Sequence, residues 1–283
     1  MKIAISVETA SDLSKELIKE NDIKVVPFTI FLGDKDYKDG EITCDEIIKF
    51  VDENKILPKT GAVNRITYEE HFAEILKDYD GIVHISLSSQ LSSAYENALA
   101  VSKELKNVFV IDSRSLSTGI GLLALYASKL VKENTPIEQI YNKVQARVES
   151  VSASFILKRV DYLYKGGRCN ALVYLGANLL KIRPQIILKE GKMVSGKKYR
   201  GNFEHGVNAY CKDVLEEFST PDLSVAFVTY TTASPEVVET AKNHLINRGF
   251  KNVYITRAGG TITSHCGENC LGILFINDGA KTE

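Results

Sequence analysis

The chain has 283 residues, a formal net charge of −1 and 44% hydrophobic residues, enough for a substantial core in two domains or one large one. The near-zero charge, with no basic run, argues against a nucleic-acid surface. No apolar run reaches the ~18–20 residues that span a bilayer, and the opening MKIAISVETASDL turns polar too soon for a secretory signal. Five scattered cysteines (Cys44, Cys169, Cys211, Cys266, Cys270) fit reduced thiols in a cytoplasmic protein.

Apolar runs and amphipathic segments alternate through the first half. KIAISV predicts a strand, and Ser11 caps a helix to about Lys19. KVVPFTIFLG predicts one strand, followed by a turn-rich stretch from Asp34 to Gly40. Thr43 with Glu46 forms a capping box for a helix to Val51, and Thr67 with Glu70 predicts another to Lys77. GIVHI reads as a strand, residues 92–105 as a helix, VFVID as a strand and residues 118–132 as a helix. Thr135-Pro136 opens a further helix to about Val148, with proline at its first position. This rhythm predicts an α/β fold whose N-terminal domain, residues 1–150, holds a doubly wound parallel sheet.

The second half differs. SASFIL is a strand, followed by two short helical stretches around Gly166-Gly167. PQIILKEGKMVSGKKYR predicts a β-hairpin turning at Glu190-Gly191, and Asn202 caps a helix to about Phe218. LSVAFVTY, a helix from Pro235, NVYITRA and LGILFIN complete a second α/β domain, residues 151–283, whose sheet is mixed.

The stretch GIVHI-SLSSQLSS-AY is the most informative for function. It feeds a strand through Ser86, Ser88, Ser89, Ser92 and Ser93 into a helix N-terminus, where free N–H groups and the helix dipole favour an anion. No Lys or Arg lies between Lys77 and Lys103, so the site suits one weak negative charge, such as a carboxylate, better than a polyphosphate. Pro58-Lys59-Thr60-Gly61 reads as a turn carrying a hydroxyl, Tyr162-Leu163-Tyr164-Lys165-Gly166-Gly167-Arg168 as a basic residue beside a glycine pair, and Ser264-His265-Cys266-Gly267 as a histidine in a loop. His265, Cys266 and Cys270 lack a second ligand pair, so no metal is expected.

In this order these segments resemble the DegV family of bacterial fatty acid-binding proteins, including the substrate-carrying subunits of fatty acid kinase. The Tyr-Leu-x-Lys-Gly-Gly-Arg box is matched in full at residues 162–168, and Ser88-Ser89-Gln90-Leu91-Ser92-Ser93-Ala94-Tyr95 resembles the family's serine box. Lys59-Thr60, Arg183-Pro184 with a hairpin ending in Arg200, and His265-x-Gly267 also fit. The resemblance implies an acyl chain between two α/β domains, its carboxylate on Thr60 and Ser92, with no cofactor beyond that fatty acid. It further implies no catalysis by the chain alone. A separate ATP-binding kinase subunit would phosphorylate the carboxylate, with Arg168 and His265 near the exposed head group, serving partner docking or phosphotransfer. Ser93 and Ala94, Gly61-Ala62-Val63, Glu8 and Glu268-Asn269 depart from the family pattern, and Glu268 adds negative charge near the site.

A long acyl tail would dominate affinity at roughly 0.8 kcal/mol per buried methylene. Residues 119–126 and 171–180 are apolar stretches able to line it. Two other readings are a serine hydrolase using Ser92, His265 and Asp112, and a lipid-sensing regulator. The hydrolase lacks a G-x-S-x-G elbow.

Overall fold

A computed structural model describes residues 1–169 and 182–278. The stretch 171–180, expected to line a tail, lies outside the described residues. The order of elements is β1 (Ile3–Glu8), α1 (Lys15–Glu20), β2 (Ile23–Val26), β3 (Thr29–Leu32), β4 (Lys35–Lys38), α2 (Cys44–Asn54), β5 (Lys59–Gly61), α3 (Arg65–Ile75), β6 (Gly81–Ser86), α4 (Ala94–Ser102), β7 (Val108–Asp112), α5 (Thr118–Lys132) and α6 (Ile137–Arg147). Then come β8 (Val151–Leu157), α7 (Asp161–Lys165), β9 (Ile182–Lys189), β10 (Lys192–Arg200), α8 (Phe203–Glu217), β11 (Val225–Tyr230), α9 (Pro235–Arg248), β12 (Asn252–Arg257), α10 (Gly260–Cys266) and β13 (Cys270–Ile276).

The fold is α/β, with a parallel sheet of order β2-β1-β6-β7 and a mixed sheet of order β10-β9-β8-β13-β11-β12. β1 and β6 are apolar or buried at every position, as expected of parallel strands covered on both faces. The predicted hairpin is β9–β10. Glu190 (φ 51°) and Gly191 (φ 77°) both take the left-handed region its two-residue turn requires.

A third, small antiparallel sheet, β4-β3-β5, was not foreseen. Its presence corrects three expectations. KVVPFTIFLG is two strands, because Pro27 lacks the N–H a ladder needs and the chain leaves the parallel sheet there. The stretch after Asp34 contains β4, which pairs back on β3. Thr60 sits on a strand opposite Ile30.

Helix starts also moved. Ser14, rather than Ser11, caps α1, and Asn64, rather than Thr67, caps α3 by accepting from Thr67 N at 2.9 Å. The helix expected over 92–105 is Ala94–Ser102, and Pro136 precedes α6 as its cap residue. The Thr43–Glu46 capping box and the Asn202 cap are present. Among the described residues no helix is long and apolar enough to cross a membrane.

The main core joins both halves of the chain. It holds α5, the parallel sheet, and the face of the mixed sheet bearing Phe155, Phe227 and Leu274. The opposite face, with Ala226, Val228, Ile273 and Phe275, packs under α8 and α9.

Candidate functional site

Three parallel strands deliver acidic or hydroxyl residues to their C-terminal edge: Glu8 on β1, Ser86 on β6 and Asp112 on β7, the last two in register. Ligands of such sheets sit beyond this edge. Glu8 is fully buried and accepts from Tyr68 Oη (2.6 Å), His84 Nε2 (3.1 Å), Ser86 Oγ (2.5 Å) and Leu87 N (2.9 Å). Burial alone would raise its pKa, but the His84 charge and these hydrogen bonds outweigh that and hold it below the usual value. Asp112 accepts from Ser89 N (3.2 Å), Ser89 Oγ (2.6 Å) and Arg114 N (2.9 Å). Both carboxylates therefore anchor the loop 87–93.

That division changes the reading of the serine cluster. Ser86 and Ser89 donate to the anchoring carboxylates, and Ser88 Oγ donates to Gly191 O at 2.8 Å. Ser92 is different. Its Oγ accepts from Ala94 N at 3.2 Å, which leaves the hydroxyl proton to donate elsewhere.

Thr60, Ser92, Arg168 and His265 all line one cavity of about 40 Å³, with Thr261 and a wall that includes Phe28, Leu87, Leu91, Leu116 and Ile262. The volume is that of a few water molecules. Thr60 Oγ1 and His265 Nε2 are 2.8 Å apart. His265 lies on α10, not in the expected loop; the sequence Gly259-Gly260 conceals a helix start whose N–H groups are capped from a distance. Gly260 N and Thr261 N donate to Asp39 (2.8 and 3.0 Å), and Gly259 N donates to Asp12 (2.7 Å). Those carboxylates satisfy the helix N-terminus, so an incoming anion meets side chains of α10 instead.

Burial, reinforced by the Arg168 charge, lowers the His265 pKa from 6.5 to about 4, so the ring is neutral at physiological pH. Its Nδ1 is buried without a partner among the described residues and lies against Gly166, where an added Cβ would be 2.8 Å away. The full Gly-Gly-Arg box thus has a packing reason: Gly166 makes room for the imidazole, and Gly167 takes φ 71°. Arg168 is exposed, donating from Nη1 to Gly166 O at 2.7 Å.

Thr261, which the sequence did not single out, also lines this cavity. Its buried Oγ1 has no partner among the described residues and faces the same cavity. Three hydroxyls, on Thr60, Ser92 and Thr261, so border one small space with a neutral imidazole behind Thr60. With Nε2 protonated, His265 donates to Thr60 Oγ1, and Thr60 is left to donate into the cavity.

The hydrolase arrangement is not assembled. His265 meets Thr60, while the Asp112 oxygens accept from Ser89 and Arg114, so among the described residues no carboxylate orients the imidazole toward Ser92. Glu268, flagged for its charge, pairs with Lys158 at 3.5 Å.

The family model described as "Uncharacterised protein, DegV family" matches residues 2–278. The chain belongs to the DegV family. It is 29% identical over 281 residues to a DegV domain-containing protein of Caldanaerobacter subterraneus subsp. tengcongensis, covering 97% of this chain and 98% of that one. Among solved structures it is similar to a DegV lipid binding protein from Thermotoga maritima, at 27% identity and TM-score 0.85 over 98% of each chain. A second Thermotoga maritima protein, whose structure reveals fatty acid binding function, matches at 26% identity and TM-score 0.84, covering 98% of this DegV chain and 99% of that one.

Proposed function

We propose that this DegV protein binds one long-chain fatty acid in the cytoplasm and carries it as substrate for a separate ATP-dependent kinase subunit. The carboxylate would take hydrogen bonds from Thr60, Ser92 and Thr261, with His265 fixing the Thr60 hydroxyl. The observation that carries this reading is the convergence of three donor hydroxyls and a neutral imidazole on one cavity whose remaining wall is mainly apolar. Two Thermotoga maritima relatives at 26–27% identity that bind lipid or fatty acid support it.

A charge-assisted hydrogen bond contributes about 1.5–3 kcal/mol, so the head group sets orientation while the tail sets most of the affinity. A second cavity of about 20 Å³ shares Leu116, Ile262 and Cys266 with the first. An acyl tail enters by parting these three side chains. Arg168, exposed at the cavity's border, is suited to meet the transferred phosphate or the partner's surface.

Native mass spectrometry of protein from a bacterial host, followed by extraction of the bound molecule, tests the lipid reading. One fatty acid per chain is expected. Absence of saturable binding after delipidation and titration with C14–C18 acids overturns it. For the kinase step, acyl-phosphate formation with a cognate kinase subunit is expected to drop sharply in Arg168→Ala while lipid affinity stays within a few-fold.

A further inference from the structure

The face of the mixed sheet that packs under α5 carries more than the two small cavities. Along β11, Val225, Phe227 and Thr229 share this face; along β13, Gly272, Leu274 and Ile276 do; along β12, Tyr254 and Thr256 do. Strand pairing arranges them in rows. Thr256, Thr229, Gly272 and Phe155 form one row, and Tyr254, Phe227, Leu274 and Ala153 form the next.

Cavities lie on both sides of that second row. The second cavity is bordered by Thr229, Gly272 and Leu274. A third, of about 290 Å³, begins beyond the row, bordered by Leu122, Leu125 and Tyr126 of α5 and by Val225, Tyr254 and Ile276 of the sheet. Phe227 is fully buried in the row, paired with Tyr254 and Leu274, which border the third and second cavities respectively, and its ring lies 5.4 Å from that of Tyr254. Thr118 of α5 is bonded to Thr229 at 2.7 Å, and Thr229 to Thr256 at 3.0 Å, which pins the helix to the sheet just before the row. These hydroxyls satisfy one another and leave the neighbouring surface to methyl groups and rings.

We infer that the row Tyr254–Phe227–Leu274 is the end-stop for the acyl tail and sets the longest chain this protein accepts. This rests on the fatty acid reading above. The first two cavities adjoin through Leu116, Ile262 and Cys266; the second and third lie against one sheet face, on either side of the row that contains Phe227. A tail running from Thr60 and Ser92 past Ile262 meets that ring end-on. Methylenes beyond it have nowhere to go, although a larger space lies on the far side, apolar next to the row and bordered further out by Arg147 and Asp222.

The test is a chain-length series of saturated acids titrated against delipidated protein. For the native protein, affinity should rise about fourfold per added methylene and then break at one length. Phe227→Ala should move the break upward by several carbons, and Phe227→Leu, the variant to rely on if alanine fails to fold, by fewer. Adding Val225→Phe to either variant refills the space and should bring the break back. Tyr126→Ala, which enlarges the third cavity without touching the row, should leave the break where it was. A break unchanged in folded Phe227→Ala and Phe227→Leu, or moved equally by Tyr126→Ala, overturns the end-stop while leaving fatty acid binding intact. Native protein that binds no acid of any length removes the fatty acid reading itself, and the end-stop with it.

Discussion

Thr60 and His265 act as one unit, because the imidazole can hold the threonine hydroxyl only while both are present. Thr60→Val and His265→Ala are each expected to weaken fatty acid binding about tenfold, the loss of one hydrogen bond to a charged group. Together they should cost little more than either alone. A double-mutant cycle on affinities measures this, and additive losses would show that His265 does not work through Thr60. Ser92 is held separately by its bond from Ala94 N, so Ser92→Ala should lose tenfold to a hundredfold and add independently to either variant. Sequence reasoning named Thr60 and Ser92 for the carboxylate and Arg168 and His265 for partner docking or phosphotransfer, and all four border one cavity. The pairing of Thr60 with His265 across 205 positions of chain is invisible to spacing. Thr261 was missed because a threonine after two glycines carries no sign that its hydroxyl is buried and unpartnered.

At the scale of elements, the head-group loop is positioned by the edge of the parallel sheet. Glu8 presents carboxylate oxygens to four donors, and a glutamine there would turn part of that acceptor surface into a donor facing Leu87 N or Tyr68 Oη. Glu8→Gln should therefore destabilise the fold by about 1–3 kcal/mol and weaken fatty acid binding by loosening residues 87–92. A chemical denaturation curve with a parallel lipid titration checks both; unchanged affinity in a destabilised variant would separate the anchor from the site. The strands of the parallel sheet, the β9–β10 hairpin and the Thr43 and Asn202 caps were legible because buried runs, turn chemistry and caps are local signals. The small sheet was not. Its strands are three or four residues long, and only their pairing to one another makes them strands. α10 was hidden for a related reason: Asp12 and Asp39, far away in the chain, supply the caps that its own Gly259 cannot.

At the scale of the whole molecule, those same carboxylates tie the two halves of the chain together and make stability depend on pH. Asp12 is buried, and burial, with a smaller contribution from Asp39, raises its pKa from 3.8 to about 7 despite hydrogen bonds from Ser117 and Gly259. Between about pH 4 and 7 the folded protein keeps this proton while the unfolded chain has lost it. The stabilisation is complete below the ordinary carboxylate value and is lost as pH rises through about 7. His71 and His265 work the other way. Burial lowers each from 6.5 to about 4, so the stability of their neutral forms is complete above about pH 6.5 and is lost as pH falls through about 4. In the shared window the unfolded chain gains two protons at His71 and His265 and lacks one at Asp12, so these three groups together make stability climb with pH at a slope of about one proton, roughly 1.4 kcal/mol per pH unit. Asparagine at position 12 tolerates the left-handed backbone there (φ 50°) and can still accept from Gly259 N. Asp12→Asn removes the opposing proton. Its stability should climb more steeply between pH 4.5 and 6.5, by about one proton's slope or ~1.4 kcal/mol per pH unit. Relative to the native protein, its advantage should grow up to about pH 7 and then level off. Denaturant midpoints across pH 4–8 for the two proteins read this directly. Parallel curves would mean that Asp12 is already ionised at pH 5, and that it clamps α10 to the first half as a charged carboxylate.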